Sequence, residues 1–304
     1  MVFKGSFIQG GKIMLKGTIT AIITPFDTDG SIDEKALRRL VNFQIDSGIS
    51  GLVPCGTTGE SPTLSHEEHK RVIDIVIEET NGRVPIIAGT GSNSTEEALS
   101  LTRHAYKAGA DYSLQVAPYY NKPTQKGLYE HFLAIADSID IPLIIYNIPG
   151  RTGKNIETDT LLRMAEHKNI VGVKEASGNI PQIMDIINNR PEGFTVLSGD
   201  DNLTFPIIAL GGDGVISVAS NIVPTQVIEM VNSALQGNWS KAMQSHYHLL
   251  PLFKVLFLET NPIPIKTALA MKAMVKEIFR PPLCSMELEN REKLKKVLES
   301  QGII

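Results

Sequence analysis

Short runs of apolar and β-branched residues recur through the first two thirds of the chain: Thr18–Thr24, Gly51–Cys55, Pro85–Ala88, Tyr112–Val116, Pro142–Tyr146, Ile170–Lys174, Thr195–Ser198 and Gly214–Ser217. The runs are continuous rather than alternating, the pattern of strands buried on both faces. Their starts lie 19 to 34 residues apart, which in most cases leaves room for one crossover helix. The segments between them carry helical period and start signals: Ser31 with Glu34, Ser65 with Glu68 and Ser94 with Glu97 each match a reciprocal capping box. Eight strand-helix units in roughly 220 residues predict a closed (β/α)8 TIM barrel of the α/β class. An open doubly wound sheet would place a Gly-x-Gly-x-x-Gly turn after its first strand, where Thr24-Pro25-Phe26 stands instead. Beyond Pro224 the strand pattern stops and helical period continues to the end, with helices expected over Trp239–Leu258 and Met286–Ser300. The expected division is an N-terminal extension (1–13), the barrel (14–223) and a C-terminal helical region packed on it (224–304).

Composition narrows the class. The chain has 304 residues, of which 42% are hydrophobic and 20% charged, as in ordinary globular proteins. Its 29 basic and 33 acidic residues leave a net charge of -4, with no excess to attract nucleic acid or an anionic membrane surface. Cys55 and Cys284 are too few to staple the chain or to build a metal knuckle, so a reducing, cytoplasmic setting is expected. The longest weakly charged stretch, 203–228, is interrupted by Asp213 and several glycines and does not read as a membrane span. Residues 1–13 lack the apolar region of a secretory signal, and Met14 offers a second start.

Barrel enzymes carry their chemistry where strands end and loops begin. Lys174 closes the sixth run and is the only lysine inside any of the eight. Desolvation at the rim of an apolar barrel favours the neutral, nucleophilic amine that imine formation with a carbonyl requires. The alternative is a structural ion pair with Glu175 or another barrel carboxylate. Tyr146 closes the preceding run, where its phenol either packs or relays protons to a substrate carbonyl. The turn Gly56-Thr57-Thr58-Gly59-Glu60 offers hydroxyls and amides to a carboxylate, or is a tight turn needing positive φ. Arg151, directly after the fifth run, suits a second carboxylate, or is solvated. Two acids in Ser198-Gly199-Asp200-Asp201 oppose a phosphorylated substrate. His66-Glu67-Glu68-His69 has its histidines three apart rather than four, so no metal site is expected, and neither a Walker loop nor a dinucleotide fingerprint is present.

Taken together, ITAIITPF, GLVPCGTTGE, APYYNKP, YNIPGRTG, VGVKEASG, LSGDD, GVISVASN and NPIPIK occur in this order from about Leu15 to the C-terminal region. In these segments the chain resembles the pyruvate-dependent class I aldolases, and within them the dihydrodipicolinate synthase family. That resemblance implies an imine between Lys174 and pyruvate, whose carboxylate would sit on Thr57 and Thr58. It implies a proton relay of Tyr146, Thr57 and Tyr120, the last reaching into a neighbouring subunit's site. Arg151 would bind the carboxylate of L-aspartate 4-semialdehyde, and Gly199 and Ile216 would lend backbone contacts around pyruvate. The implied reaction opens lysine biosynthesis through diaminopimelate and needs neither metal nor organic cofactor. Ser61, His66, Asn93, Glu97 and Tyr119 match an effector site for L-lysine, and the implied assembly is a homotetramer, a dimer of dimers. Two departures stand out: residues 1–13 precede the usual start, and Pro62 replaces a small residue after Ser61. The nearest alternative is a sister aldolase acting on N-acetylneuraminate or a 2-keto-3-deoxy sugar acid with the same Lys174 and Tyr146. A non-catalytic barrel that binds a keto acid or amino acid is a further one.

Overall fold

The computed structural model describes residues 6–9 and 12–304, with side chains from Met14 onward. The expected extension therefore lies partly outside the described residues. Its described part is a short antiparallel hairpin, β1 (Ser6–Gln9) with β2 (Lys12–Leu15).

Eight parallel strands follow: β3 (Gly17–Ala21), β4 (Gly51–Val53), β5 (Ile87–Gly89), β6 (Tyr112–Val116), β7 (Leu143–Asn147), β8 (Ile170–Glu175), β9 (Thr195–Ser198) and β10 (Gly214–Ser217). Their order, β4-β3-β10-β9-β8-β7-β6-β5, puts β4 and β5 at the two ends of the sheet. A parallel bridge between Leu52 and Ile86 joins those ends into a barrel. The first run expected from sequence outlasts its strand: Ile22, Ile23 and Thr24 leave the sheet yet stay buried beneath the loop that follows.

Two apolar layers explain why the runs are continuous. Ile19, Val53, Ile87, Leu114, Ile144, Leu197 and Ile216 fill the barrel. Their strand neighbours Ile145, Val173, Val196 and Val215 point outward against helix residues such as Leu37, Ile73 and Phe132. Each strand thus buries both faces, and no polar alternation survives.

The helix starts are partly as the sequence reads. Ser65 forms the full capping box with Glu68. At the first helix (Glu34–Asp46) the cap is Asp33 rather than Ser31: Ala36 N–H donates to Asp33 Oδ1 at 2.9 Å, while Ser31 bonds Asp29 and Glu34 pairs with Arg71. At the third (Thr95–Ala108), Ser94 caps Glu97 N–H, but the Glu97 carboxylate turns away to Ser92 and His66. Pro62 sits in the first turn of a short 3-10 helix, Ser61–Thr63, where its fixed φ fits.

The helix Pro224–Leu235 lies against β3 and β10 as the partner of β10. The strand-helix repeat thus runs 12 residues past the expected 223/224 division. Helices Trp239–Val255, Ile263–Met271 and Leu288–Ser300 then pack outside it. Among the described residues, no helix is long and apolar enough to cross a membrane.

Candidate active site

The register of the sheet sets the centre. Tyr146, Lys174 and Leu197 are consecutive partners on β7, β8 and β9 and share the interior face. The Lys174 Nζ lies 4.2 Å from the centroid of the Tyr146 ring, and both residues are buried. Burial pulls the Lys174 ammonium down to about 7; Asp201 and Asp200 oppose the shift, and Arg151 adds to it. Burial also pushes the Tyr146 phenol up to about 12, against a hydrogen bond it shares with Thr57. Near neutral pH the site therefore holds a partly neutral amine beside a protonated phenol.

Glu175, one of the ion-pair alternatives for Lys174, is committed elsewhere, while the charges of Asp201 and Asp200 do act on the lysine. Its carboxylate accepts from Asn147 Nδ2 at 3.1 Å and from Ser177 N–H at 2.7 Å. Being next in the strand, it points to the opposite face from Lys174.

Gly199 follows β9 and makes room for the lysine stem: a Cβ there would lie 3.0 Å from Lys174 Cε and 2.8 Å from Ala176 Cβ. A side chain at 199 would have to displace Ala176 and shift the lysine stem by a few tenths of an ångström. Ile216 stands on β10 in the same interior cluster as Tyr146 and Leu197.

The Thr57–Thr58 turn follows β4. Gly59 N–H donates to Gly56 O and Glu60 N–H to Thr57 O, both at 3.1 Å. Thr58 is buried and its hydroxyl accepts from Asn261 Nδ2 at 3.0 Å. Arg151, in the loop after β7, donates from Nη2 to the Asn261 carbonyl at 3.1 Å. Asn261 thus ties the threonine turn to the arginine. Sequence reading gave it no role, although it opens the NPIPIK segment quoted for the family resemblance.

Asp201, which the sequence presents only as an acid opposing a phosphorylated substrate, has a hydrogen-bonding role in the fold. Buried, its carboxylate accepts from the Ser217 hydroxyl at 2.6 Å and from Val218 and Ala219 N–H at 3.0 and 2.9 Å. Those amides open the loop after β10, a place where many barrels hold phosphate. Here a carboxylate of the chain occupies them. Asp200 beside it is raised to about 6, by burial first and by Asp201 next.

Tyr120 is not brought to this centre. Its side chain is 90% exposed on a backbone at φ 68°. Four of the five residues expected to hold an effector do gather: His66 Nε2 lies 2.5 Å from Glu97 Oε1, Ser92 also bonds Glu97, and Tyr119 bonds Ser92 and the Asn93 backbone. Ser61 opens the short 3-10 turn Ser61–Thr63, ahead of the helix that carries His66. A cavity of about 370 Å³ opens beside His66, Lys70 and Glu97. The neighbouring His69 faces the Gly89 carbonyl at 2.7 Å, so the two histidines of the HEEH segment serve different partners.

Comparison with known proteins places this geometry. The model of the dihydrodipicolinate synthetase family matches residues 14–301. A 4-hydroxy-tetrahydrodipicolinate synthase of Syntrophus aciditrophicus is 56% identical over 291 residues, covering 96% of this chain and 100% of that one. The chloride-inhibited dihydrodipicolinate synthase of Acinetobacter baumannii, solved in complex with pyruvate, superposes with a TM-score of 0.94 at 45% identity, covering 95% of this chain and all of that one. The enzyme of Cyanidioschyzon merolae, solved with lysine bound, gives 0.93 at 39% identity over 95% of this chain and 99% of that one. The chain belongs to the dihydrodipicolinate synthetase family.

Proposed function

We infer that this chain is a Schiff-base-forming lyase that condenses pyruvate with L-aspartate 4-semialdehyde to 4-hydroxy-tetrahydrodipicolinate, the first committed step of lysine biosynthesis through diaminopimelate. The names of its relatives and the pyruvate held by the Acinetobacter baumannii enzyme support the substrate. The observation that carries the chemistry is a buried lysine, pulled down to about 7, 4.2 Å from a buried tyrosine ring.

The steps follow from these groups. Neutral Nζ of Lys174 attacks the pyruvate carbonyl, and loss of water leaves a protonated imine. That imine is the electron sink: a proton leaves the methyl group, and the resulting enamine carbon attacks the aldehyde of the second substrate. The aldehyde oxygen takes a proton to become the hydroxyl, and the semialdehyde's own amino group then attacks the imine carbon, displacing Lys174 as the ring closes and returning the free enzyme. Tyr146 donates and recovers protons at the carbonyl oxygen, and Thr57, its hydrogen-bond partner, passes them on. Tyr120 completes the relay in the site of a second protomer, a role suited to its exposure here. On this reading the enzyme works as a homotetramer, a dimer of dimers. Thr58 and the turn amides hold the pyruvate carboxylate, Gly199 and Ile216 flank it, and Arg151 receives the carboxylate of the semialdehyde.

Arg151 separates this reading from a sister aldolase acting on a sugar acid. Arg151→Ala is expected to raise KM for aspartate semialdehyde about 30-fold or more, the loss of a charge-assisted bond, with KM for pyruvate within about threefold. Initial-rate kinetics with each substrate varied in turn check this, and equal effects would contradict it.

The cluster of His66, Glu97, Asn93 and Tyr119, with Ser61, is proposed as the site of L-lysine, the ligand borne by the Cyanidioschyzon merolae relative. Glu97→Ala is expected to weaken lysine inhibition about tenfold or more while leaving the uninhibited rate unchanged. A dose-response at fixed substrate decides, with an unchanged half-inhibiting concentration as the contrary result.

A further inference from the structure

Glu60 ends the threonine turn, and its side chain leaves in a direction that the site itself does not use. The Glu60 Oε1 meets Lys266 Nζ at 2.5 Å, with both side chains 0% exposed. Glu60 Oε2 has no hydrogen-bond partner among the described residues. Lys266 comes from helix Ile263–Met271, outside the barrel, five residues after Asn261. Its ammonium also lies 4.3 Å from the Phe26 ring, which belongs to the loop after β3. One buried cation thus joins the loops after β3 and β4 to the C-terminal helices.

Two further observations bear on its use. Glu60 has φ 55°, a left-handed conformation that a non-glycine residue keeps only when its surroundings impose it. Its N–H closes the turn on Thr57 O at 3.1 Å, so movement of Glu60 moves the two threonines. A buried ion pair costs more to desolvate than an apolar pair of like volume, so a gain in stability does not account for this one.

We propose that the Lys266–Glu60 pair positions the Thr57–Thr58 turn for the pyruvate carboxylate, so that the C-terminal helical region sets the affinity of a site built on the barrel. This rests on reading that turn as the carboxylate site. Asn261, donating to Thr58 at 3.0 Å from the same segment, is the second anchor. Lys266 and Glu60 touch no substrate and act through the turn.

The test uses full-length Glu60→Gln/Lys266→Met, which removes both charges and leaves neither buried alone, beside Lys266→Arg, which keeps the pair. Half-saturating pyruvate is read from initial rates and from the yield of borohydride-trapped adduct on Lys174. In the double variant it is expected to rise about tenfold or more, a misplaced turn weakening binding, with kcat lowered as Thr57 of the relay moves with the turn and KM for aspartate semialdehyde within about threefold. A wild-type half-saturation in a folded double variant overturns the proposal and leaves the pair a purely structural feature. Should the double variant fail to fold, Lys266→Arg, which keeps a cation against Glu60 but moves it, decides: a rise in half-saturating pyruvate of about threefold or more supports positioning, and no change overturns it. If wild-type protein forms no adduct, the reading of Lys174 itself fails and the inference falls with it, a result distinct from a wild-type adduct with unshifted variants.

Discussion

Replacing Lys174 with Met is expected to abolish condensation while making the protein more resistant to heat. Without Nζ no imine forms, and the rate should fall at least about a thousandfold, since imine formation is the step that acidifies the methyl group. The stability change has the opposite sign and follows from the same amine. Its ammonium is pulled from 10.5 to about 7 by burial, so the folded state releases the proton far more readily than the unfolded chain does. Between pH 7 and 10.5 the unfolded state binds more protons, and stability rises with pH across that window. Below pH 7 the buried charge costs its full amount, a few kcal/mol at about 1.4 per pK unit. Lys174→Met should therefore melt roughly 5 °C or more above wild type at pH 6, with the gap closing as pH rises toward 10. Differential scanning calorimetry at both pH values checks the sign; a less stable variant at pH 6 would contradict the assignment of a desolvated amine. The same amine fixes the pH profile of the wild-type enzyme. The kcat/KM for pyruvate should climb with pH and level off above about 7, as the neutral nucleophile is populated.

The second large effect is at Tyr146. Burial pushes its phenol up to about 12, so it remains a proton donor throughout the working range. Tyr146→Phe keeps the ring against Lys174 and removes only the hydroxyl that bonds Thr57. The kcat is expected to fall about a hundredfold or more, the usual worth of a positioned acid-base group, with KM for pyruvate changed little. Removal of a buried hydroxyl whose partner can still reach a neighbour should shift the melting temperature by no more than a few degrees. Single-turnover trapping places the defect: imine formation should slow in parallel with turnover. A variant within about threefold of wild-type kcat would remove Tyr146 from the relay.

The barrel was legible because its signal is local. Continuous runs such as Leu143–Tyr146 reflect two apolar layers, and a lysine closing Ile170–Lys174 stands out against them. Helix starts were less secure, because neighbouring residues compete for the same N–H groups. Asp33 displaces Ser31 at one start, and Glu97 leaves its cap for Ser92 and His66 at another. Contacts across the chain carried no signal that spacing could show. Asn261 and Lys266 meet Thr58 and Glu60 across 203 and 206 positions of sequence. Only the closed barrel and its C-terminal helices bring these together. Tyr120 shows a different limit. The partners proposed for it lie in another protomer, and in the single chain it is an exposed side chain.

Incubation of the wild-type protein with pyruvate and sodium borohydride, followed by intact mass and peptide mapping, tests the central claim most directly. The account predicts one reduced pyruvyl adduct per chain, located on Lys174, together with consumption of aspartate semialdehyde in a parallel assay. No adduct, or an adduct on a different lysine, would contradict it.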